Sequence, residues 1–402
     1  MTKSQANDMS TMRKLNTLLL LRTLYQVQTA SRSDLTRLTD LSSSAVTSIV
    51  KDLLNKRLLI EKQNYQQRSV GRPRLPLAIN SRCWYVLGLH LSGDNSVDLV
   101  SFNLQGEYIN RIELSFDSFA PAAVTKIISE GVATLSTKLE PTARLIGLGV
   151  SVSGVIAPQT GHCTYSERLN WHKIPLVSLL SEQIDLPIII ERDVNALALA
   201  EYMNLEKGEQ KSSLAVLMVG NGLGLGLIIN GQIYSGVQGG AGEISHILNF
   251  TDRDQLDKEQ CYCGQLACVS QLISKKGISK QIAKLFPGKT GFAEQPLLWL
   301  QDRSKPGNGL SILNRVAVTT ALLLKLITET YDPAQIIISS NFQFDRESQQ
   351  KILNVYGDRL TLPVEFKKEV IFKNWSSFSW AWGAAAVVIN NFLNSIDFWR
   401  NL

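Results

Sequence analysis

Residues 239–268 hold two short motifs, Gly239-Gly-Ala-Gly-Glu243-Ile-Ser-His246 and Cys261-Tyr-Cys263-Gly-Gln-Leu-Ala-Cys268. Three clustered cysteines and one upstream histidine make the ligand set of a closed tetrahedral Cys₃His zinc site. The chain has five Cys in all, an odd number and too few for a disulfide framework. Reduced core thiols are the alternative reading of the cluster, and the tight spacing favours a metal. Cys83 and Cys163 lack partners in the pattern and read as small core residues. His246 follows Glu243 by three residues, so a helical turn there would project both to similar sides.

On both sides of this segment the texture is α/β. Strand-like runs at 86–91, 145–152, 187–190, 214–219 and 336–339 alternate with helical patterns, and no short-period repeat is visible. Gly220-Asn-Gly-Leu-Gly-Leu-Gly226 follows the fourth run. Alternating glycines suit either close approach to a phosphate or a tightly packed hairpin, and the hairpin is the commoner case. Glu191-Arg-Asp193-Val-Asn195 stands at a strand end before a helix. Asp193 there reads as a general base for a sugar hydroxyl or as a helix N-cap.

The first fifth of the chain is different. Residues 1–80 carry 13 Lys and Arg against 5 Asp and Glu, while the remaining 322 carry 28 against 30. The basic excess therefore sits at one end of a chain whose net charge is +6, which points to a nucleic-acid-binding head on a near-neutral body. Residues 12–62 read as three helices. The second starts on the capping-box pattern Ser31-Arg-Ser-Asp34, and the third starts at the serines 42–44. In the third, Val46, Ile49, Val50, Leu53 and Leu54 form one buried face, leaving Ser43, Ser44, Thr47, Ser48 and Lys51 to meet DNA. Two short runs, 58–60 and 75–79, flank a basic Gly/Pro loop with Arg68, Arg72 and Arg74, which reads as a minor-groove wing. Together these define a winged helix-turn-helix.

Hydrophobic residues are 44% and charged residues 19% of the 402, an ordinary globular profile that excludes wholesale disorder. No run has the ~18 apolar residues of a membrane span, and the N-terminus shows no signal-peptide core. The expectation is a cytoplasmic protein without membrane insertion.

The chain resembles the ROK family (repressors, open reading frames, sugar kinases). The residues that carry the resemblance are Gly242-Glu243-Ile-Ser-His246, Cys261-x-Cys263-Gly-x-x-x-Cys268 and Asp193-Val-Asn195-Ala-x-x-Leu-Ala-x-Glu201. It covers residues 84–402 and, with the winged helix, nearly the whole chain. The resemblance implies a two-lobed, actin-like and hexokinase-like ATPase fold behind the DNA-binding head. The division expected is a head at 1–82, a first lobe at 83–193 and a second lobe at 194–402 with the zinc site, its C-terminal helix returning to the first lobe. It also implies one structural zinc on His246, Cys261, Cys263 and Cys268. A sugar in the interlobe cleft would touch Ser153, Gly154, Arg192, Asp193, Glu243 and His246, with Asp193 in the place of the kinases' base.

The departures from the kinase pattern bear on activity. Kinases of the family open with an Asp-x-Gly-Gly-Thr phosphate turn. Here the place reads His90-Leu-Ser92-Gly93-Asp94, and a carboxylate at 94 disfavours a phosphate electrostatically. Asn221 replaces a Thr, Ser339-Ser340 replace a Gly pair, Arg192 replaces an Asn and Ser270 replaces a Glu. Arg192 would meet an acidic or phosphorylated sugar, or simply pair with Glu191 or another carboxylate. The leading expectation is a non-enzymatic repressor of sugar uptake or metabolism genes, responsive to a sugar or sugar derivative. It would bind a palindromic operator as a homodimer or tetramer. The alternatives are an active sugar kinase with a DNA-binding head, and a repressor controlled by a protein partner.

Overall fold

In the computed structural model the described residues are 3–62, 75–205, 212–247, 260–261, 263–266, 268–301, 309–396 and 398, with only the backbone described for 3–10. The wing residues Arg68, Arg72 and Arg74 lie outside them. The chain divides into two compact units. The first takes the residues up to Asp193 and resumes at Trp380; the second spans Val194–Leu205 and continues to Ser379.

The first unit begins with α1 (Lys3–Val27), α2 (Arg32–Thr39) and α3 (Ser43–Asn55), then the antiparallel pair β1 (Leu59–Glu61) and β2 (Leu77–Ile79). Ser31 caps α2 in a reciprocal capping box with Asp34, which satisfies two otherwise orphaned N–H groups. Asp40 ends α2 in the left-handed region at φ 54°, and Ser42 caps α3 by accepting from the Ala45 N–H. Asp40 and Ser42 set the turn between the two helices. Leu20, Leu21 and Leu24 of α1, Leu35 of α2 and Val46, Val50 and Leu53 of α3 are buried together with Leu58 and Leu77. Ala30, just before α2, exchanges backbone hydrogen bonds with Leu77 of β2. The helix pair is thereby fastened to the strands.

The same unit continues with β3 (Trp84–Leu91), β4 (Ser96–Asn103), β5 (Tyr108–Ser115), α4 (Pro121–Ser136) and β6 (Arg144–Val152). A small sheet of β7 (Val155–Ile156), β8 (Cys163–Ser166) and β9 (Trp171–Ile174) precedes α5 (Leu176–Ser181) and β10 (Ile188–Arg192). The main sheet has the order β10-β6-β3-β4-β5, parallel across β10, β6 and β3 and antiparallel beyond. The link from head to sheet is hydrogen-bonded: the Asn80 side chain donates to the Arg57 carbonyl at 2.9 Å, and Gln105 donates to the Ile79 carbonyl at 3.0 Å.

The second unit opens with α6 (Asp193–Asn204), whose first residue closes the first unit, then β11 (Ser213–Val219), β12 (Leu223–Ile229) and β13 (Gln232–Ile233). After α7 (Ser270–Ile273), α8 (Lys275–Leu285), α9 (Pro296–Gln301) and α10 (Gly309–Tyr331) come β14 (Gln335–Ser340), α11 (Arg346–Arg359) and β15 (Glu369–Asn374). Its sheet has the order β13-β12-β11-β14-β15, with β11, β14 and β15 parallel and the rest antiparallel. Both sheets thus thread a three-strand antiparallel meander followed by two parallel strands on the other side of the first. This duplication is carried by topology.

The last helix, α12 (Ser377–Asn394), packs within the first unit from Trp380 onward. A Cβ at Gly149 of β6 would stand 1.9 Å from the Ala384 carbonyl of α12, so only glycine lets the helix lie so close. In the second unit a Cβ at Gly226 of β12 would stand 2.4 Å from the Val194 carbonyl of α6. The glycine-rich run 220–226 therefore forms a hairpin whose bare backbone accepts a helix.

Among the described residues, α10 is by length and mean hydropathy apolar enough to cross a bilayer, although Arg315 and Lys325 interrupt it. Its Ile312, Val316, Leu324 and Ile327 are buried in the core of the second unit, so its apolarity is spent on packing, as in a soluble core helix.

Candidate metal centre, sugar loop and DNA-facing helix

In the second unit the chain from Gly239 to Ile247 runs as successive turns rather than as a helix, which corrects the helical turn expected for Glu243 and His246. Three glycines and the backbone bonds Ile244 N–H to Gly242 and Glu243 N–H to Gly240 hold it. Glu243 is exposed, Ser245 is buried and His246 is half-buried. The N–H groups of Val269 and Ser270 donate to the carbonyls of Ile247 and Ser245, which brings the cysteine segment against this loop.

The side chains of His246, Cys261, Cys263 and Cys268 converge, their ligand atoms all within 4.8 Å of one another. Cys261 Sγ lies 3.6 Å from His246 Nδ1, and Cys263 Sγ lies 3.5 Å from Cys268 Sγ. Zinc bonds of about 2.3 Å to sulfur and about 2.0 Å to nitrogen give tetrahedral edges of about 3.8 Å between sulfurs and about 3.5 Å from sulfur to nitrogen, so the spacing fits one ion. No disulfide forms, since all five cysteines are free. Burial raises the Cys261 thiol, but the Cys263 backbone N–H and donors from Gln271, Cys263 and Ser270 outweigh it and hold the thiol down at about 6. Burial and the neighbouring Cys263 and Cys261 thiols push Cys268 up to about 12. The group thus favours one thiolate and resists a second, a conflict that a bound cation relieves. The chain therefore contains a cluster that could hold a metal.

Ser270 is buried with its hydroxyl 3.9 Å from Cys261 Sγ. Gln271 donates to the same sulfur at 3.5 Å. Neither residue was singled out in sequence as a support for the cysteines, although both follow Cys268 directly.

In the first unit, Ser153 and Gly154 follow β6, and Arg192 and Asp193 end β10 and begin α6. The Ser153 hydroxyl donates to Asp193 Oδ2 at 2.6 Å. Asp193 is 9% exposed and stands in the first turn of α6. The Arg192 side chain is buried, and its backbone N–H donates to the Glu191 carboxylate at 2.8 Å. The structure thus brings Ser153, Gly154, Arg192 and Asp193 to one loop pair.

The segment 90–94 at the end of β3 is closed on itself. The Ser92 hydroxyl donates to the Asp94 carboxylate, and Arg168 forms an ion pair with Asp94 at 3.2 Å. Asp94 is thus paired while staying exposed, its side chain at 63%. His90 Nδ1 lies 3.1 Å from Ser151 Oγ, and its ring stacks on Trp380 at 4.8 Å. Burial holds this imidazole below its usual range against the opposing pull of Asp193. Asn221 is exposed in the hairpin turn, while Ser339 and Ser340 are buried at the end of β14.

On α3, Ser43, Ser44, Thr47 and Lys51 are exposed and Ser48 is half-buried. Ser48 accepts a hydrogen bond from Arg13 of α1 at 3.2 Å, and Arg13 also pairs with Asp52. Nothing local in the sequence signals that pair, because its members are far apart along the chain.

A family model described as the ROK family matches residues 91–391, and the chain belongs to that family. It is 24% identical to a xylose repressor of Caldicellulosiruptor bescii, over 95% of this chain and 97% of that protein. Among solved structures, a ROK family transcriptional regulator described as a homologue of the Escherichia coli MLC protein superposes with a TM-score of 0.79. It has 18% identity and covers 97% of this chain and 98% of its own. A ROK hexokinase from Thermus thermophilus gives 0.60 at 18% identity, covering 75% of this chain and 97% of its own. The hexokinase likeness is one of fold.

Proposed function

We propose that this protein is a sugar-responsive transcriptional repressor without kinase activity. The observation that carries the reading is the end-to-end match to a named xylose repressor, head included. The basic N-terminal segment, with α2 and α3 in a capped helix-turn-helix, supports operator binding through Ser43, Ser44, Thr47, Ser48 and Lys51, and through Arg68, Arg72 and Arg74 of the wing. A two-fold operator calls for a homodimer, and DNA as the target calls for a cytoplasmic protein.

The effector is a sugar or sugar derivative held by Ser153, Gly154, Arg192 and Asp193. Asp193 and Ser153 offer a carboxylate and a hydroxyl, which suit adjacent sugar hydroxyls. The Ser92–Asp94–Arg168 arrangement supports the absence of phosphoryl transfer, because a carboxylate fills the turn that would take a phosphate. His246, Cys261, Cys263 and Cys268 would hold one zinc ion, which supplies charge for the thiolates and ties the cysteine segment to the Glu243 loop. With four protein ligands that ion is structural.

The test uses the full chain and a duplex that it selects from a random pool. Binding of that duplex, released by one member of a panel of pentoses, hexoses and their phosphates, is the expected outcome. ATP-dependent phosphorylation of a panel sugar, lost in Asp193→Asn, would establish the kinase reading instead.

A further inference from the structure

The outer face of α3 carries one carboxylate, Asp52, one helical turn beyond Ser48 and beside Lys51. A duplex presents one negative charge per about 1.7 Å of its axis. A bare carboxylate on the face that meets it opposes every phosphate within the screening distance of about 8 Å. In the structure Asp52 is not bare. Arg13 Nη2, reaching across from α1, pairs with its carboxylate and donates to Ser48 Oγ at 3.2 Å. Both charged side chains stay about half exposed, at 51% and 54%. An ion pair so exposed adds little to folding, so its effect lies in the potential and the hydroxyl orientation at the helix surface.

We propose that Arg13 is a positioning residue for DNA recognition, masking Asp52 and directing the Ser48 hydroxyl outward. The inference rests on the reading of α3 as the helix that meets DNA. The chemistry has two parts. The guanidinium cancels the local negative charge, leaving Lys51 to act on phosphates unopposed. Ser48 Oγ accepts from Arg13, so its own O–H proton is free to donate, and phosphate oxygens and base-edge carbonyls are acceptors.

The experiment is a double-mutant cycle on the full chain, read as affinity for the selected duplex and for a mixed-sequence duplex, with thermal unfolding of each variant. Arg13→Ala should weaken binding about tenfold at low salt, and less at high salt. Asp52→Asn alone should not weaken it. The double variant should return to within about threefold of the original, because the charge that Arg13 masks is gone. A double variant as weak as Arg13→Ala would overturn the proposal by making Arg13 a direct DNA contact. Unchanged binding in Arg13→Ala would also overturn it, as would a loss of binding that tracks a fall in unfolding temperature of several degrees. Thr47→Ala and Lys51→Ala serve a separate purpose: if both leave affinity unchanged, the assignment of α3 to DNA fails, whatever Arg13 does.

Discussion

Cys263 is the exposed member of the four converging side chains, and Cys261 and Cys268 are buried. Cys263→Ser therefore disturbs packing least and tests the metal most directly. Zinc measured by elemental analysis should fall from one per chain to near zero. Chelation of the unsubstituted protein should lower its unfolding temperature by at least about 5 °C and leave the variant's unchanged. Less than one zinc per chain in protein never exposed to chelator would remove the site. This centre was legible in sequence because three of its ligands lie within eight residues and their chemistry is narrow. The partners of residues 90–94 were not. Arg168 meets Asp94 and Trp380 meets His90 across long stretches of chain, where only the fold brings them together.

At the scale of the element, the close approaches of helix to strand make sharp demands. Gly149→Ala should cost about 2–4 kcal/mol in denaturant unfolding, since the Ala384 carbonyl at 1.9 Å is backbone and cannot rotate away. Gly222→Ala is the control: a Cβ there meets nothing within 4 Å, and the change should stay within about 0.5 kcal/mol. The five strand runs read from sequence all form, because each is a continuous apolar stretch buried in a sheet. β5 escaped notice: its burial is patchy, with only Leu114 buried, so it lacks a strong apolar signal. The turns at 239–247 were misread as helical because the spacing of Glu243 and His246 fits a helix, whereas the glycines before them favour turns.

At the scale of the molecule, each sheet is followed by a helix that packs in the other unit: α6 after β10 in the second, α12 after β15 in the first. A chain stopped before Trp380 should therefore lose the first unit. The buried face of α12, including Ala385, Val388, Ile389 and Phe392, would leave the β6 backbone uncovered. Such a chain is expected to be insoluble or to bind no DNA, measured by fractionation and by duplex binding. A soluble product with full DNA affinity would show that α12 is dispensable to the first unit. The shared sheet order was invisible in sequence because topology constrains strand direction and sequence patterning only loosely, and the segments joining the strands differ in the two halves.

The place of α12 also fixes when this protein becomes itself. Translation runs at about 5–20 residues per second, so roughly ten to forty seconds separate the emergence of Arg192 from that of Trp380. Throughout that interval the nascent first sheet waits on the ribosome for the helix that covers β6. The three N-terminal helices are made first, and the unit they belong to is finished last.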